Sequence, residues 1–277
     1  HNIAIGFQAL TTSDFGGDAH NIAIGSQSGR DITQGVRNVL VGGQTGFDLT
    51  TGSDNIAIGH QALDAETTGS KNVAVGDRSL SQLQAGSNIG ENTAVGYRTG
   101  QNMNTGIKNT LLGSNAGSGL QSGFENIMLG YYAGQATTIG DKNVFVGSEA
   151  GYTNIDGDGS VALGYRALYV QEPSSNVNTD NTGVGYQAGV AVTTGLRNTL
   201  LGSDTAAALT TGNNNILIGD SANVSTGAAS NQIVIGQGVT ASANNVVVLG
   251  TADTTVWHPA DDNGVDLGSG TYSFKDA

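Results

Sequence analysis

Residues 71–80 read KNVAVGDRSL, and close relatives of this decapeptide recur along the chain, among them HNIAIGFQAL at 1–10, ENTAVGYRTG at 91–100 and RNTLLGSDTA at 197–206. Each copy begins with a polar residue and Asn and reaches a glycine four residues after the Asn, which we call the marker glycine. A sequence that is self-similar at a fixed short period predicts a repeat architecture. The copies follow a 17-residue period with three longer intervals, and the marker glycines are Gly6, Gly25, Gly42, Gly59, Gly76, Gly96, Gly113, Gly130, Gly147, Gly164, Gly185, Gly202, Gly219 and Gly236.

The fold class follows from the length and pattern of this unit. In NVAVG at 72–76 the apolar positions follow a period of two, which is typical of a short strand. A 17-residue unit is too short for a helical hairpin, so each unit predicts one coil of an all-β parallel β-solenoid, or β-roll. Fourteen or fifteen coils, stacked about 4.8 Å apart, would form a rod roughly 70 Å long. We assign residues 1–236 to the solenoid, and 237–277, where the repeat decays, to a terminal coil and a transition or cap segment.

Three further columns predict how a coil is built. A second short strand is expected seven residues past the marker glycine, with its apolar side chains facing inward, at Ile32, Leu49, Leu83, Met103, Leu120, Val192 and Leu209. Small residues three past the glycine suit a narrow interior, at Ala9, Ser28, Thr45, Ala62, Ser79, Thr99, Ala116, Ala133 and Ala150. A second glycine, three before each Asn, is predicted to supply positive φ at a corner, at Gly35, Gly52, Gly69, Gly106, Gly123, Gly140, Gly195 and Gly212.

Two polar columns indicate that the coils stack in strict register. A side-chain amide can donate to and accept from its copy one coil away, which would explain the recurrent Asn at 2, 21, 38, 55, 72, 92, 109, 126, 143, 181, 198 and 215. The residue before each Asn alternates in sign, through Arg37, Asp54, Lys71, Glu91, Lys108, Glu125 and Lys142. Opposite charges attract and like charges repel across neighbouring strands, so this alternation favours a parallel stack.

Composition and motifs exclude several classes of function. The net charge of −13 argues against a sequence-independent grip on nucleic acid or on an anionic membrane, and no apolar run is long enough to insert into a bilayer. The chain has no cysteine and its four histidines are scattered. No nucleophile elbow, zinc-protease or phosphate-loop motif is present, and the acidic pairs at 156–158 and 261–262 lack the calcium-roll pattern. We therefore expect no enzyme, and assign no catalytic, cofactor or metal residue.

Surface variation points to binding. Tyrosine follows the marker glycine in several coils, and this tyrosine column comprises Tyr97, Tyr131, Tyr165 and Tyr186. Such a stripe fits either a partner or glycan site or packing against a neighbouring chain. Extra residues interrupt the period near 15–17, at 87–90 and within 170–179, and insertions of this kind in solenoids often serve recognition.

The motif NIAIGSQS at 21–28 resembles the head repeats of YadA-like trimeric autotransporter adhesins. The resemblance covers residues 1 to about 250 and implies a left-handed β-roll of which three chains pack side by side into an adhesive head, although coils in that family are typically shorter. The tail GVDLGSGTYSFKDA at 264–277 looks like the segment that precedes an endosialidase-type intramolecular chaperone in phage tail fibres and related bacterial fibres, with Ser273 in place of the usual arginine. This second resemblance implies a self-cleaving trimerisation domain downstream.

Together these features predict the shaft or tip of a homotrimeric fibre, extracellular on a cell surface or a virion, that binds a host-cell or surface receptor, with a glycan among the candidates. Two alternatives stay open. Paired threonines at 50–51, 67–68, 137–138, 193–194 and 210–211 would suit an ice-binding face or another extracellular binding module, although other coils lack them. A pectin-lyase-like enzyme would need longer coils than these.

Overall fold

The computed structural model describes residues 1–12, 18–86, 89–173, 175–251 and 253 of the 277-residue chain. This part of the chain contains parallel strands and no helix, and its strands stack coil on coil into one β-solenoid with the period of the sequence repeat. The predicted fold class is therefore confirmed. One 15-stranded sheet runs along the rod in chain order: β1 (Ile3–Ile5), β2 (Ile22–Ile24), β3 (Val39–Val41), β4 (Ile56–Ile58), β5 (Val73–Val75), β6 (Thr93–Val95), β7 (Thr110–Leu112), β8 (Ile127–Leu129), β9 (Val144–Val146), β11 (Val161–Leu163), β13 (Thr182–Val184), β14 (Thr199–Leu201), β15 (Ile216–Ile218), β16 (Ile233–Ile235) and β17 (Val247–Leu249), while β10 (Gly157–Asp158) pairs with β12 (Val177–Asn178).

The pairing keeps equivalent residues in register from coil to coil. Ile56 pairs with Val73, Ala57 with Ala74, and Ile58 with Val75. The middle residue of each strand points into the rod, where Ala57 and Ala74 are fully buried, because successive side chains on a strand face opposite sides. The first and third residues consequently face outward in every coil.

The column seven residues past the marker glycine is buried as predicted, but it does not form the predicted second strand. Ile32, for example, is fully buried and lies outside any strand. The backbone N–H groups of Thr33, Gln34 and Gly35 all donate to the single carbonyl oxygen of Thr50 in the next coil, at 3.0, 3.1 and 3.1 Å. Three donors that converge on one acceptor make a tight corner, which a one-to-one strand ladder cannot do.

The corner glycines serve a purpose other than the one predicted. None of the eight has positive φ; a side chain on Gly35 would instead overlap the carbonyl oxygen of Gly52 in the next coil. At the corner, positive φ occurs instead at the residue before each Asn, in the column of alternating charge, with 59° for Arg37 and 61° for Asp54. The marker glycines do require it, with φ between 130° and 143° and a similar approach to the following coil.

The column seven residues past the marker glycine, which we call the inward column, also contains polar residues that the sequence pattern did not explain. They are fully buried: Glu66, Thr137, Asn154 and Gln171. Glu66 shows how such a group is accommodated. Its Oε1 accepts the N–H groups of Thr67, Thr68 and Gly69, and its Oε2 accepts that of Ala85 at 2.9 Å. A buried carboxylate is tolerated there because backbone donors surround it.

The insertion within 170–179 joins the stack. Strand β12 pairs with β10 of the preceding coil, and Gln171, at the start of the insertion, is fully buried and donates through Nε2 to Asn154 Oδ1 at 2.9 Å. The solenoid also continues past residue 236, since β17 pairs in register with β16 although a shorter interval separates these two strands than separates most others. The insertion near 15–17, part of the one at 87–90, and the resemblance-bearing tail at 264–277 lie outside the described residues.

Candidate binding surfaces

The buried asparagine column is structural. Asn38 donates through its backbone N–H to Asn21 Oδ1 at 2.8 Å, and its Nδ2 donates to the same oxygen at 3.2 Å and to the carbonyl oxygen of Gly52 at 2.9 Å. The predicted ladder of copies one coil apart is confirmed. Ser160 replaces the amide in one coil, where its N–H still donates to Asn143 Oδ1. Because these amides are buried and bonded, they are not free to bind a ligand.

The alternating charge column stacks as predicted but stays on the surface. Arg37 forms a bidentate ion pair with Asp54, at 2.6 and 2.9 Å, and Lys71 Nζ lies 3.8 Å from Glu91 Oε1. The Arg37 guanidinium lowers the pKa of the Asp54 carboxyl, chiefly through that hydrogen bond. All four side chains are substantially exposed, so the pairs help to set register and stabilise the fold only weakly.

The outward side of the 15-stranded sheet is an apolar surface, which we call the sheet face. It consists of the first and third residues of each strand, mostly Ile, Val and Leu with four threonines. Ile58 is 39% exposed and Leu112 48% exposed, although both are large aliphatic side chains. The face follows the whole rod, and no other part of the described chain covers these residues.

Aromatic side chains cluster along the neighbouring edge of the rod in the coils between 131 and 186. Tyr165 and Tyr186 of the tyrosine column stack with ring centroids 5.4 Å apart, and Tyr152 stacks on Tyr169 at 5.1 Å. The guanidinium of Arg166 lies 5.2 and 5.0 Å from the ring centroids of Tyr165 and Tyr169 and bonds to Glu149 Oε2 at 2.6 Å. Each tyrosine of the tyrosine column is exposed and lies two residues past the end of the strand in its coil, so the column borders the sheet face.

A polar groove of about 540 Å³ opens on another side of the rod. We call it the amide groove, because apart from Ala65 it is lined by five exposed amide residues that form no hydrogen bond through their side chains to another described residue: Gln82, Gln84, Asn102, Asn104 and Gln121. They lie either side of the inward column in three consecutive coils. No sequence motif marks these residues, three of which are visible only as interruptions of the threonine pairs.

The first hydroxyl of most threonine pairs is engaged by the next coil, which reduces the hydroxyls open to water. Thr50 Oγ1 donates to the carbonyl oxygen of Thr67 at 2.8 Å, and Thr193 Oγ1 donates to that of Thr210 at 3.1 Å. Thr137 is buried in the inward column, so the pair 137–138 is displaced by one position from the others. In the pairs at 50–51, 193–194 and 210–211 the first hydroxyl thus bonds the next coil.

Two ionisable groups in the described part of the chain, Asp64 and His60, have distinctive surroundings. Burial, with a smaller contribution from Asp48, raises the pKa of Asp64 to about 6. His60 Nδ1 lies 3.4 Å from Asp77 Oδ2, and both side chains are about half exposed. Among the described residues no three His, Asp or Glu side chains lie close enough to hold a metal ion.

Architecture defines this chain as a parallel β-solenoid protein. No protein family, no curated protein and no solved structure gives a significant match to it. Within the described ranges, no helix is long and apolar enough to cross a membrane. What the chain does is therefore inferred from its surfaces and its sequence pattern.

Proposed function

We propose that this chain forms part of the shaft or tip of an extracellular homotrimeric fibre that attaches a cell or a virion to a surface. The observation that carries the proposal is the sheet face. A soluble chain that stays single rarely exposes a continuous apolar patch larger than a few hundred Å². Here two aliphatic columns follow a rod roughly 70 Å long, and burying them between chains would remove this surface from water.

Association of whole rods fits the regularity of the face. Its outward residues repeat every coil with equivalent side chains, as in Ile56 and Ile58 against Val73 and Val75. A partner with the same repeat period would match this spacing along its entire length, and another copy of this chain is such a partner. Homo-oligomers with closed symmetry are the common outcome when a chain recognises its own surface.

The number three is supported by the resemblance of residues 21–28 to the repeats of trimeric adhesin heads and by the tyrosine column. In a closed ring of three, each chain contacts two neighbours, so its interface must extend beyond one flat face. Tyr131 and Tyr186, which are 51% and 50% exposed beside the sheet face, lie where the edge of such an interface would fall. Tyrosine is enriched in interfaces of this kind.

Ice binding is a weaker alternative. An ice-binding surface would need regularly spaced hydroxyls open to water, whereas Thr50, Thr193 and Thr210 each direct Oγ1 to a carbonyl oxygen of the next coil. Between them, the same column holds Gln84, Asn104 and Gln121. We therefore favour the fibre, and expect no thermal hysteresis from the purified protein.

Light scattering at micromolar concentration tests the assembly. A trimer should scatter with three times the mass of the 27.9 kDa chain. Ile58→Lys and Leu112→Lys place a charge in the sheet face and should shift the mass toward one chain, because a buried unpaired ammonium is costly. Thr51→Lys, at an exposed site off the face, should leave the trimer intact. A single-chain or dimeric mass for the unmodified protein would overturn the trimer.

Attachment is tested separately by incubating fluorescently labelled trimer with a panel of bacterial and animal cells. The proposal expects saturable binding to at least one cell type, with loss of binding in the dissociated Ile58→Lys variant because single chains lack multivalency. A stable trimer that binds none of the panel would leave the assembly standing and contradict the attachment function.

A further inference from the structure

We propose that the amide groove is a binding site for a neutral oligosaccharide. This inference rests on the proposed attachment function and names the receptor chemistry and its place on the rod. The groove combines a concave surface of about 540 Å³ with five amide side chains that have no partner among the described residues. A volume of this size lies within the usual range for small-molecule sites.

The groove departs from the structural pattern of its own column. Eight residues past the marker glycine, Thr33, Thr50, Thr138, Thr193 and Thr210 donate their hydroxyls to carbonyl oxygens of the next coil, at 2.8 to 3.3 Å. In three successive coils the column changes to Gln84, Asn104 and Gln121, and that side-chain bond is lost. The amides therefore do not stabilise the stack as threonine does.

A second column changes in the same place. Six residues past the marker glycine, the groove presents Gln82 and Asn102, whereas the coils on either side carry Ala65 and Gly119. In the glutamine column at 8, 27, 44 and 61, by contrast, the amides bond to one another, as Gln27 Nε2 does to Gln8 Oε1 at 3.1 Å. Two columns that converge on unbonded amides in the same coils indicate a surface shaped for a ligand.

Amides in a neutral setting match sugar hydroxyls. Each amide offers two donors and an acceptor, and each hydroxyl both donates and accepts. No charged residue lines the groove, and the chain carries a net charge of −13, which disfavours sialylated or sulfated glycans. The chemistry thus selects neutral sugars over acidic ones.

The backbone beneath the groove is held in place before any ligand arrives. The N–H of Gln84 donates to the carbonyl oxygen of Asn104 at 2.7 Å, and the N–H of Asn104 donates to that of Gln121 at 2.8 Å. Preorganisation of this kind lowers the entropy lost on binding. The groove contains no aromatic ring, so one site would bind weakly and three copies on a trimeric fibre would supply avidity.

The test compares the unmodified trimer with the triple variant Gln84→Thr, Asn104→Thr and Gln121→Thr, which restores the residue favoured by the column. A double variant, Gln34→Thr with Gln135→Thr, removes amides outside the groove as the matched control. Light scattering and the denaturation midpoint establish that all three proteins are folded trimers. The probes are immobilised maltotetraose, cellotetraose, mannotetraose and chitotetraose, with sialyllactose and a sulfated tetrasaccharide as acidic comparators.

The proposal expects binding to at least one neutral probe that falls at least tenfold in the triple variant and is unchanged in the control. It is overturned if no neutral probe is bound, if only the acidic probes are bound, or if the triple variant binds as well as the unmodified protein. In each of those cases, continued attachment of the trimer to cells would keep the fibre function and reject only this site. Failure of the unmodified trimer to attach to any cell would reject the attachment function, whichever way the probes decide the site.

Discussion

Asn38 Oδ1 accepts two hydrogen bonds from Asn55, one coil further along: one from the backbone N–H at 3.0 Å and one from Nδ2 at 3.1 Å. The same Nδ2 also donates to the carbonyl oxygen of Gly69 at 3.0 Å. Each buried amide thus joins its own coil to the one before it and the one after it. The column acts as an internal spine parallel to the sheet, and the stack depends on its continuity.

Removing one amide from this spine should destabilise the solenoid. Asn55→Ala deletes the two bonds that Nδ2 donates to Asn38 and Gly69 and leaves the buried N–H of Asn72 without its acceptor, which should cost about 3 kcal/mol. Chemical denaturation followed by circular dichroism measures the loss as a lower midpoint. Asn102→Ala removes an exposed amide with no bond to another described residue and should change the midpoint little. Equal effects in the two variants would contradict the spine.

The spine was predictable from sequence because a constant period turns a column of letters into a line of contacts. The role of the corner glycines could not be predicted in this way. Glycine is required both where φ is positive and where there is no space for a Cβ atom, and the sequence does not distinguish the two cases. At Gly35 the absent Cβ matters, and the positive φ falls on Arg37. The solvent-exposed residues of a solenoid need no regular pattern, so only the structure revealed that the Thr50 side chain bonds to the next coil and that the Asn104 side chain does not.

Two glycines with positive φ separate conformational strain from crowding. A Cβ on Gly130, where φ is 139°, would overlap the carbonyl oxygen of Gly147 in the next coil, whereas a Cβ on Gly86, where φ is 65°, would meet no atom of the described residues within 4 Å. Gly130→Ala should therefore cost about 3 kcal/mol or more, from strain and overpacking together. Gly86→Ala should cost only about 1 kcal/mol, from the left-handed conformation. Denaturation midpoints of the two variants test the difference. Similar losses of stability would show that the close approach of the next coil does not add to the cost of the substitution at Gly130.

The half-buried Asp64 should make stability fall as pH rises. Its pKa is raised from 3.8 to about 6 in the folded chain, so the folded state holds this proton more tightly than the unfolded state does. Stability is therefore greatest below about pH 4 for this group and declines as pH passes through about 6, by about 1 kcal/mol after allowance for solvent screening. Asp64→Asn should be more stable than the unmodified protein at pH 7.5 and no more stable at pH 4. A gain that does not change between these pH values would contradict the assignment.

The charge column offers a salt-dependent test of register. Lys71 stands between Asp54 and Glu91, and its Nζ lies 3.8 Å from Glu91 Oε1. Lys71→Glu would place three carboxylates in adjacent coils, so the denaturation midpoint should fall at about 20 mM NaCl and return toward that of the unmodified protein at about 1 M NaCl, because salt screens exposed charges. Glutamate already occupies the same backbone conformation at positions 91 and 125, so the change adds repulsion without new backbone strain. At low salt, the midpoint of Lys71→Gln should lie between those of the unmodified protein and of Lys71→Glu. A midpoint for Lys71→Glu that does not change with salt concentration would show that these charges do not interact.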